Sequence, residues 1–177
     1  MSSTQIKGLA DLQRAMDQLP AQIEANIMRG GLRAGAKVLA KAVQANAAAL
    51  PGAGALAESV RFGAKLDKRA GKLQAYARAG GKAKKGSGKA SVFYAHMVEY
   101  GTAAHVIKAR PPNKLLAIGV PVVNHPGAKK SPFMRPALDQ HQAAALNATA
   151  AYIRNRLATK HGLTVPAPVD PEAEPDE

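Results

Sequence analysis

The chain has 177 residues and no cysteine, a length that fits one domain around one core and a composition that excludes disulfides, thiol catalysis and cysteine-ligated zinc. Apolar residues make up 46% of it, but only four Tyr and three Phe are aromatic, which favours alanine-rich helices over an aromatic-lined substrate pocket. Its 25 Lys and Arg outweigh 12 Asp and Glu to give +13, which implies a polyanionic neighbour or a salt-dependent assembly partner.

Met1 to Lys7 is polar, with no apolar stretch of signal-peptide type. The longest apolar run, Leu115 to Val123, is interrupted by Gly119 and Pro121 and falls far short of the ~20 residues of a membrane span. A soluble protein with no membrane partner is expected, and the lack of cysteine fits a reducing cytoplasm. The charge is unevenly spread. Residues 61 to 90 hold ten Lys or Arg against one acid, Asp67, while Thr164 to Glu177 hold five acids and no base.

In chain order, Leu9, Leu12, Met16 and Leu19 space out a short helix over Leu9–Leu19. Pro20 opens a second, long helix to about Ala49, where Pro51-Gly52 stops it. Ile23, Ile27, Ala34, Val38 and Ala42 make its apolar stripe, widened by Met28, Leu32, Leu39 and Val43, and so broad a stripe suits packing on a sheet. Arg29, Arg33, Lys37 and Lys41, each four residues from the next, form a basic row. That row is either a solvated face or a surface turned to DNA or an acidic subunit.

From Leu56 the period becomes two. Val60, Phe62, Ala64 and Leu66, then Leu73, Ala75, Ala77 and Ala79, alternate with polar residues or glycine around the turn-forming Asp67–Gly71, which predicts a β-hairpin. Gly80 to Lys89, with Lys82, Lys84, Lys85 and Lys89 among glycines, reads as a mobile basic loop. A short helix over Phe93–Tyr100 and strands over His105–Ala109 and Leu115–Val120 follow, joined by Arg110–Asn113. Pro136 opens a last helix to about Lys160, and the Pro- and acid-rich residues 163–177 are expected to be disordered.

Catalytic constellations do not assemble. Gly86-Ser87-Gly88-Lys89 looks like the end of a phosphate-binding loop, but Ala90 stands where magnesium needs Ser or Thr, and Ala83 where a glycine is required. His96 and Glu99 could share a helix face as a metal pair, yet two ligands are too few and the other histidines lack metal spacing. No G-x-S-x-G elbow frames a nucleophile, and seven acids precede residue 164, too sparse for a multi-carboxylate nuclease. No enzyme, metal site or cofactor is expected.

Tyr94-Ala-His-Met-Val-Glu-Tyr-Gly-Thr102, His105-Val-Ile-Lys-Ala109, Asn113-Lys-Leu-Leu-Ala117, His125-Pro-Gly127 and Ser131-Pro-Phe-Met-Arg-Pro-Ala-Leu138 together resemble the gene-product-ten-like family of lambdoid phages. These are minor tail or tail-completion proteins of the head–tail neck. With the preceding helix and hairpin, the likeness covers most of residues 5 to 160. Gly101 is expected to turn with positive φ, and His125-Pro126-Gly127 to form a rigid turn. Phe133, Met134 and Arg135, bracketed by Pro132 and Pro136, look in the family's terms like an assembly docking segment; closure of the protomer's own core is the other reading.

The resemblance implies a virion protein, built in the host cytoplasm, that forms a homo-oligomeric ring. That ring would be hexameric to match the tail and threaded by the genome's path. Adjacent neck and tail proteins (connector or stopper, tail terminator or tube) would be its partners, with genome DNA in the channel. The fold class expected is α+β: a mainly antiparallel sheet of about four strands, covered by a long N-terminal helix and a C-terminal helix, in one domain over residues 1–162. The rival function is a sequence-independent nucleic-acid-binding protein, against which stand a basic region whose only aromatics are Phe62 and Tyr76 and the lack of a helix-turn-helix pattern.

Overall fold

A computed structural model describes residues 9–17, 19–67, 72–82, 91–108 and 122–165. The elements run α1 (Leu9–Asp17), α2 (Ala21–Ala48), α3 (Gly54–Glu58), β1 (Arg61–Asp67), β2 (Lys72–Arg78), α4 (Ala95–Tyr100), β3 (His105–Lys108), β4 (Val122–His125) and α5 (Met134–His161). The class is α+β with the two long helices expected. Pro20 is the N-cap of α2 rather than its first residue.

The 28-residue helices α2 and α5 lie antiparallel and form the spine. At one end Ala42, Val43 and Ala47 of α2 meet Phe133 and Ala137, with Leu56 and Val92 completing the core. At the other, Ile27 meets Ile153 and Leu157 of α5 beneath Leu12 and Met16 of α1. Leu163 and Val165, the start of the segment expected to form the tail, pack on this second cluster. Residues 166–177 lie outside the described residues.

Between these ends the two helices approach on small residues. A Cβ added at Gly35 would meet Thr149 Oγ1 and stand 2.7 Å from the Ala145 carbonyl oxygen, and one at Gly31 would stand 2.8 Å from Ile153 Cγ1. α2 therefore needs glycine on its α5 side for space, despite the helix propensity that glycine forfeits.

The sheet differs from expectation. β1 and β2 pair in register from Arg61↔Arg78 to Asp67↔Lys72, and β3 and β4 from His105↔His125 to Lys108↔Val122, so the described residues hold two separate two-stranded sheets instead of one of four strands. Alternation identifies a strand but not its partner, and in both cases the nearest strand along the chain supplied the pairing. The strand placed at Leu115–Val120 lies outside the described residues; the partner of β3 is Val122–His125. The turn then follows it, with the Gly127 N–H donating to His125 Nδ1. Strand pattern was also read too early at Leu56. Leu56 and Ala57 are adjacent and both buried in α3, which a helix corner allows and alternation does not.

Val60 and Ala79, at the base of the β1–β2 hairpin, pack on the core. The alternation then puts Phe62, Ala64, Ala75 and Ala77 on the α2 side and Arg61, Lys65, Lys72, Tyr76 and Arg78 on the outer side. Tyr76 lies over its cross-strand partner Gly63, where a Cβ would stand 2.7 Å from its hydroxyl.

The α2–α5 seam can be checked by Gly35→Ala. In an open helix that change stabilises by about 1 kcal/mol, but here it should destabilise by about 1–3 kcal/mol through overpacking. Gly54→Ala, in α3 where nothing stands within 4 Å of the added carbon, serves as the unobstructed control and should leave stability unchanged or raise it by up to about 1 kcal/mol. Urea midpoints of the two variants decide the matter.

Candidate functional site

Two arrangements stand out: a carboxylate clasp that holds α5 in place, and a basic surface on α2 and the hairpin.

The clasp begins with the needs of a helix start. The first four N–H groups of an α-helix have no acceptor within the helix. In α5 these belong to Phe133, the N-cap, then Met134, Arg135 and Pro136. Phe133 and Met134 donate to Glu99 Oε2 at 2.8 and 2.9 Å, and Arg135 donates to Glu99 Oε1 at 3.0 Å. Pro136 has no N–H to satisfy. One side chain from α4 thus answers every open donor at this end.

Neighbouring bonds fix the same junction: the Ser131 N–H donates to the Val98 carbonyl at 2.8 Å, and Asn46 Nδ2 of α2 donates to the Phe133 carbonyl at 3.1 Å. Gly101, just beyond α4, has φ 74° and ψ −178°, the positive φ expected. A Cβ there would stand 2.7 Å from the Ala128 carbonyl oxygen.

Glu99 is 7% exposed. Burial is the largest single influence on it and acts to raise its pKa. The N–H groups of Met134, Phe133 and Arg135, with the Arg135 charge behind them, together outweigh burial and hold the carboxyl below its usual range. The positive end of the helix dipole acts in the same direction.

His96 is exposed whereas Glu99 is buried, so they do not present one metal-binding face, and among the described residues no group of three or more His, Asp or Glu could hold a metal. Phe133 is 1% exposed and among the largest fully buried side chains. It closes the protomer's own core, the other reading of the Pro-bracketed segment, and is not presented to a partner; burying such a ring contributes about 2–3 kcal/mol. Met134 is half-buried and Arg135 exposed. α5 starts at Met134, two residues before Pro136, because Glu99 supplies the cap that the sequence around Pro136 lacks.

The basic surface is exposed. Arg29, Arg33, Lys37 and Lys41 all face out from α2, a row of about 18 Å at 1.5 Å per residue. Arg33 joins it to the hairpin, its guanidinium carbon 5.5 Å from the centre of the Phe62 ring. The outer face of the hairpin adds Arg61, Lys65, Lys72 and Arg78, all exposed; Arg78 lies 5.6 Å over the Tyr76 ring. These four were counted in the sequence as charge, and the two-residue period already put them on one face. Both aromatics of the basic region are therefore covered by an arginine, and neither is an open platform for a stacked base. Lys82 is exposed beside the Gly81↔Val92 bridge that closes the base of the loop. Lys84, Lys85 and Lys89 lie outside the described residues.

The described residues form a body of two long helices and a hairpin with an exposed row of cations. Residues 10–101 match the HK97-gp10-like family, described as a bacteriophage tail component. The match spans just over half of the chain, which belongs to this family. It runs from α1 to the glycine after α4 and so takes in the long helix, the hairpin and the Tyr94–Gly101 patch; the patches from His105 to Leu138 lie beyond it. No curated protein and no solved structure matches the chain. Among the described residues no helix is long and apolar enough to cross a membrane.

The clasp predicts an acid limb of stability. A carboxyl whose folded pKa is lowered contributes fully above its unfolded value of about 4.3, and the contribution is lost as pH falls through the folded value. Glu99→Gln should destabilise by about 2–3 kcal/mol at pH 7, because its NH2 group meets a donor where an acceptor stood. Urea unfolding between pH 7 and pH 3 should show the wild-type advantage over this variant shrinking below about pH 4.3. An advantage that stayed constant to pH 3 would mean that the Glu99 charge is not what holds α5.

Proposed function

We propose that this chain is a structural virion protein of a tailed double-stranded-DNA phage, assembled as a ring, six-fold like the tail, that completes the tail or joins it to the head. The observation that carries this reading is the family match across the long helix and hairpin. No convergent set of acid, base, nucleophile and metal ligands competes with it among the described residues, and the buried carboxylate Glu99 is fully engaged by backbone N–H groups. Adjacent neck and tail proteins are the partners, and the particle is the place of action.

The cations on α2 and the outer hairpin face favour a contact with phosphate, or with an acidic neighbouring subunit, over base reading. Flexible Lys and Arg side chains on a convex helix and ribbon neutralise charge without selecting sequence. This surface would turn toward the genome channel or the next ring. The rival reading, a free nucleic-acid-binding protein, rests on the same cations and is weakened by the two arginine-covered rings.

Electron-microscopy averaging of the purified chain and of virions tests the ring: closed rings in the neck or tail are expected, and a chain that stays monomeric in both would overturn it. Fluorescence anisotropy with duplexes of unrelated sequence tests the surface. Weak binding without preference is expected, falling with salt by about 0.9 log units per log unit for each phosphate contacted. Reversing Arg29, Arg33, Lys37 and Lys41 to Glu should flatten that slope without lowering the melting temperature. An unchanged slope would return the row to a plain solvated face.

A further inference from the structure

The β3–β4 ribbon has little support from its own body. Its ladder has four residue pairs, and among the described residues no other helix or strand packs closely along it. A two-stranded ribbon alone is marginal in water. Its root is nonetheless well built. The Thr102↔Ala128 bridge continues the ladder toward the body, and Gly127, at φ 90°, lets the chain pass so close that an added Cβ would collide with the Thr102 carbonyl oxygen. One face of the ribbon carries Val106, Lys108 and Val122 together by strand alternation. Val106 is 52% and Val122 48% exposed, on a short element with few apolar residues to leave in water.

The same chain carries an unfilled, mainly apolar groove of about 650 Å3 between β2, α4 and the first turns of α5, lined by Leu39, Ala75, Ala77, Tyr100 and Leu138, with Arg135 and Asp139 beside them. A smaller space of about 160 Å3, sharing Leu39, Ala75 and Ala77, reaches on to Leu146. Tyr100 is 73% and Leu138 51% exposed. β2 pairs only with β1 among the described residues, so one wall of the groove is an open strand edge of the kind that a neighbour covers. The protomer's own ribbon springs from Gly101, next to Tyr100 on the rim, and does not enter the groove.

We infer that the Val106–Lys108–Val122 face of the ribbon docks into the β2–α4–α5 groove of a second copy of this chain. Val106 and Val122 then cover Tyr100 and Leu138, and Lys108 approaches Asp139, a groove carboxylate with no ion pair among the described residues. Apolar side chains meet apolar lining, and a cation meets an acid. Ribbon and groove are different patches of one chain, the head-to-tail relation that closes a ring when the rotation is right. The inference rests on the ring reading above and assigns that ring its contact.

Because the native chain has no cysteine, full-length protein carrying Val106→Cys and Leu138→Cys gives a clean test. Mild oxidation should produce a ladder of two, three and more linked copies whose disulfides join position 106 of one copy to position 138 of the next, as peptide mapping will show; a ladder made only of 106–106 and 138–138 links would overturn the contact. Val106→Cys with Lys160→Cys, at the far end of α5, should give no such ladder. Leu138→Glu should keep the wild-type melting temperature, since Leu138 is half exposed, and raise the concentration needed for assembly at least tenfold. Lys108→Asp should weaken assembly likewise, and adding Asp139→Lys should restore it. Rings that form without the ladder and survive Leu138→Glu would overturn the docking and leave the ring standing, with another protein as occupant of the groove. A chain monomeric at every concentration and in virions would overturn both.

Discussion

The contact on which the C-terminal half of the protein depends is the Glu99 carboxylate, set across three N–H groups at the start of a helix that begins 35 residues later. Burying a carboxylate carries a large solvation penalty. Here the penalty is offset by charge-assisted hydrogen bonds and by the positive end of a 28-residue helix. The same oxygens fix where α5 starts, and thereby which residues of its first turn face the core. Phe133 enters that core as a consequence, with its N–H held by Glu99 and its carbonyl by Asn46. A metal pair at His96 and Glu99 is incompatible with this use of the side chain.

Once α5 is anchored at one end, the rest of the spine is a matter of close approach. Gly31 and Gly35 contribute no side chains of their own, so α2 lies directly against Ala145, Thr149 and Ile153 of α5. α2 thereby commits one side to α5 and another to the hairpin, and the cationic row occupies the side left over. The charge is thus displayed by a rigid helix about 42 Å long at 1.5 Å per residue and continued by the hairpin it supports. An extended, fixed display of cations suits contact with a repeating polyanion or an acidic protein surface better than it suits a small ligand.

The matched family region and the clasp divide the chain unequally. α1 to α4 lie within the match, and α4 supplies the carboxylate; the helix that needs it, together with the β3–β4 ribbon, lies beyond the match. The N-terminal part therefore brings the cap to the C-terminal part, and Gly101, with its positive φ, is where the chain turns from one to the other. The ribbon projects from that turn with Val106 and Val122 exposed, so exposed apolar and charged surface comes from both sides of the family boundary.

Much of this was legible in the amino-acid sequence because the signals are local. The 3.6-residue spacing of Ile23, Ile27 and Ala34 placed the long helix, and the two-residue alternation around Asp67–Gly71 placed the hairpin and sorted its charged face from its apolar face. Gly101 after Tyr100 marked a turn that only glycine makes comfortably, and the ordered patches from Tyr94 onward pointed to a phage tail family. What the sequence could not supply was any fact that depends on two distant segments meeting. Strand alternation did not say that β3 would pair with Val122–His125 and stay apart from the first hairpin. Gly31 and Gly35 looked like weak points of a helix until α5 was seen against them, and Phe133 between prolines looked as ready for a partner as for a core. Glu99 offered no role once a metal pair with His96 was set aside, because its true partners are backbone N–H groups, which every residue but proline carries and no side-chain pattern reveals. Helix, hairpin, charge and kinship were therefore determined by the sequence alone, whereas the cap, the seam, the sheet pairing and the burial of Phe133 were decided only by tertiary structure, since each is a contact between segments whose adjacency no local period encodes.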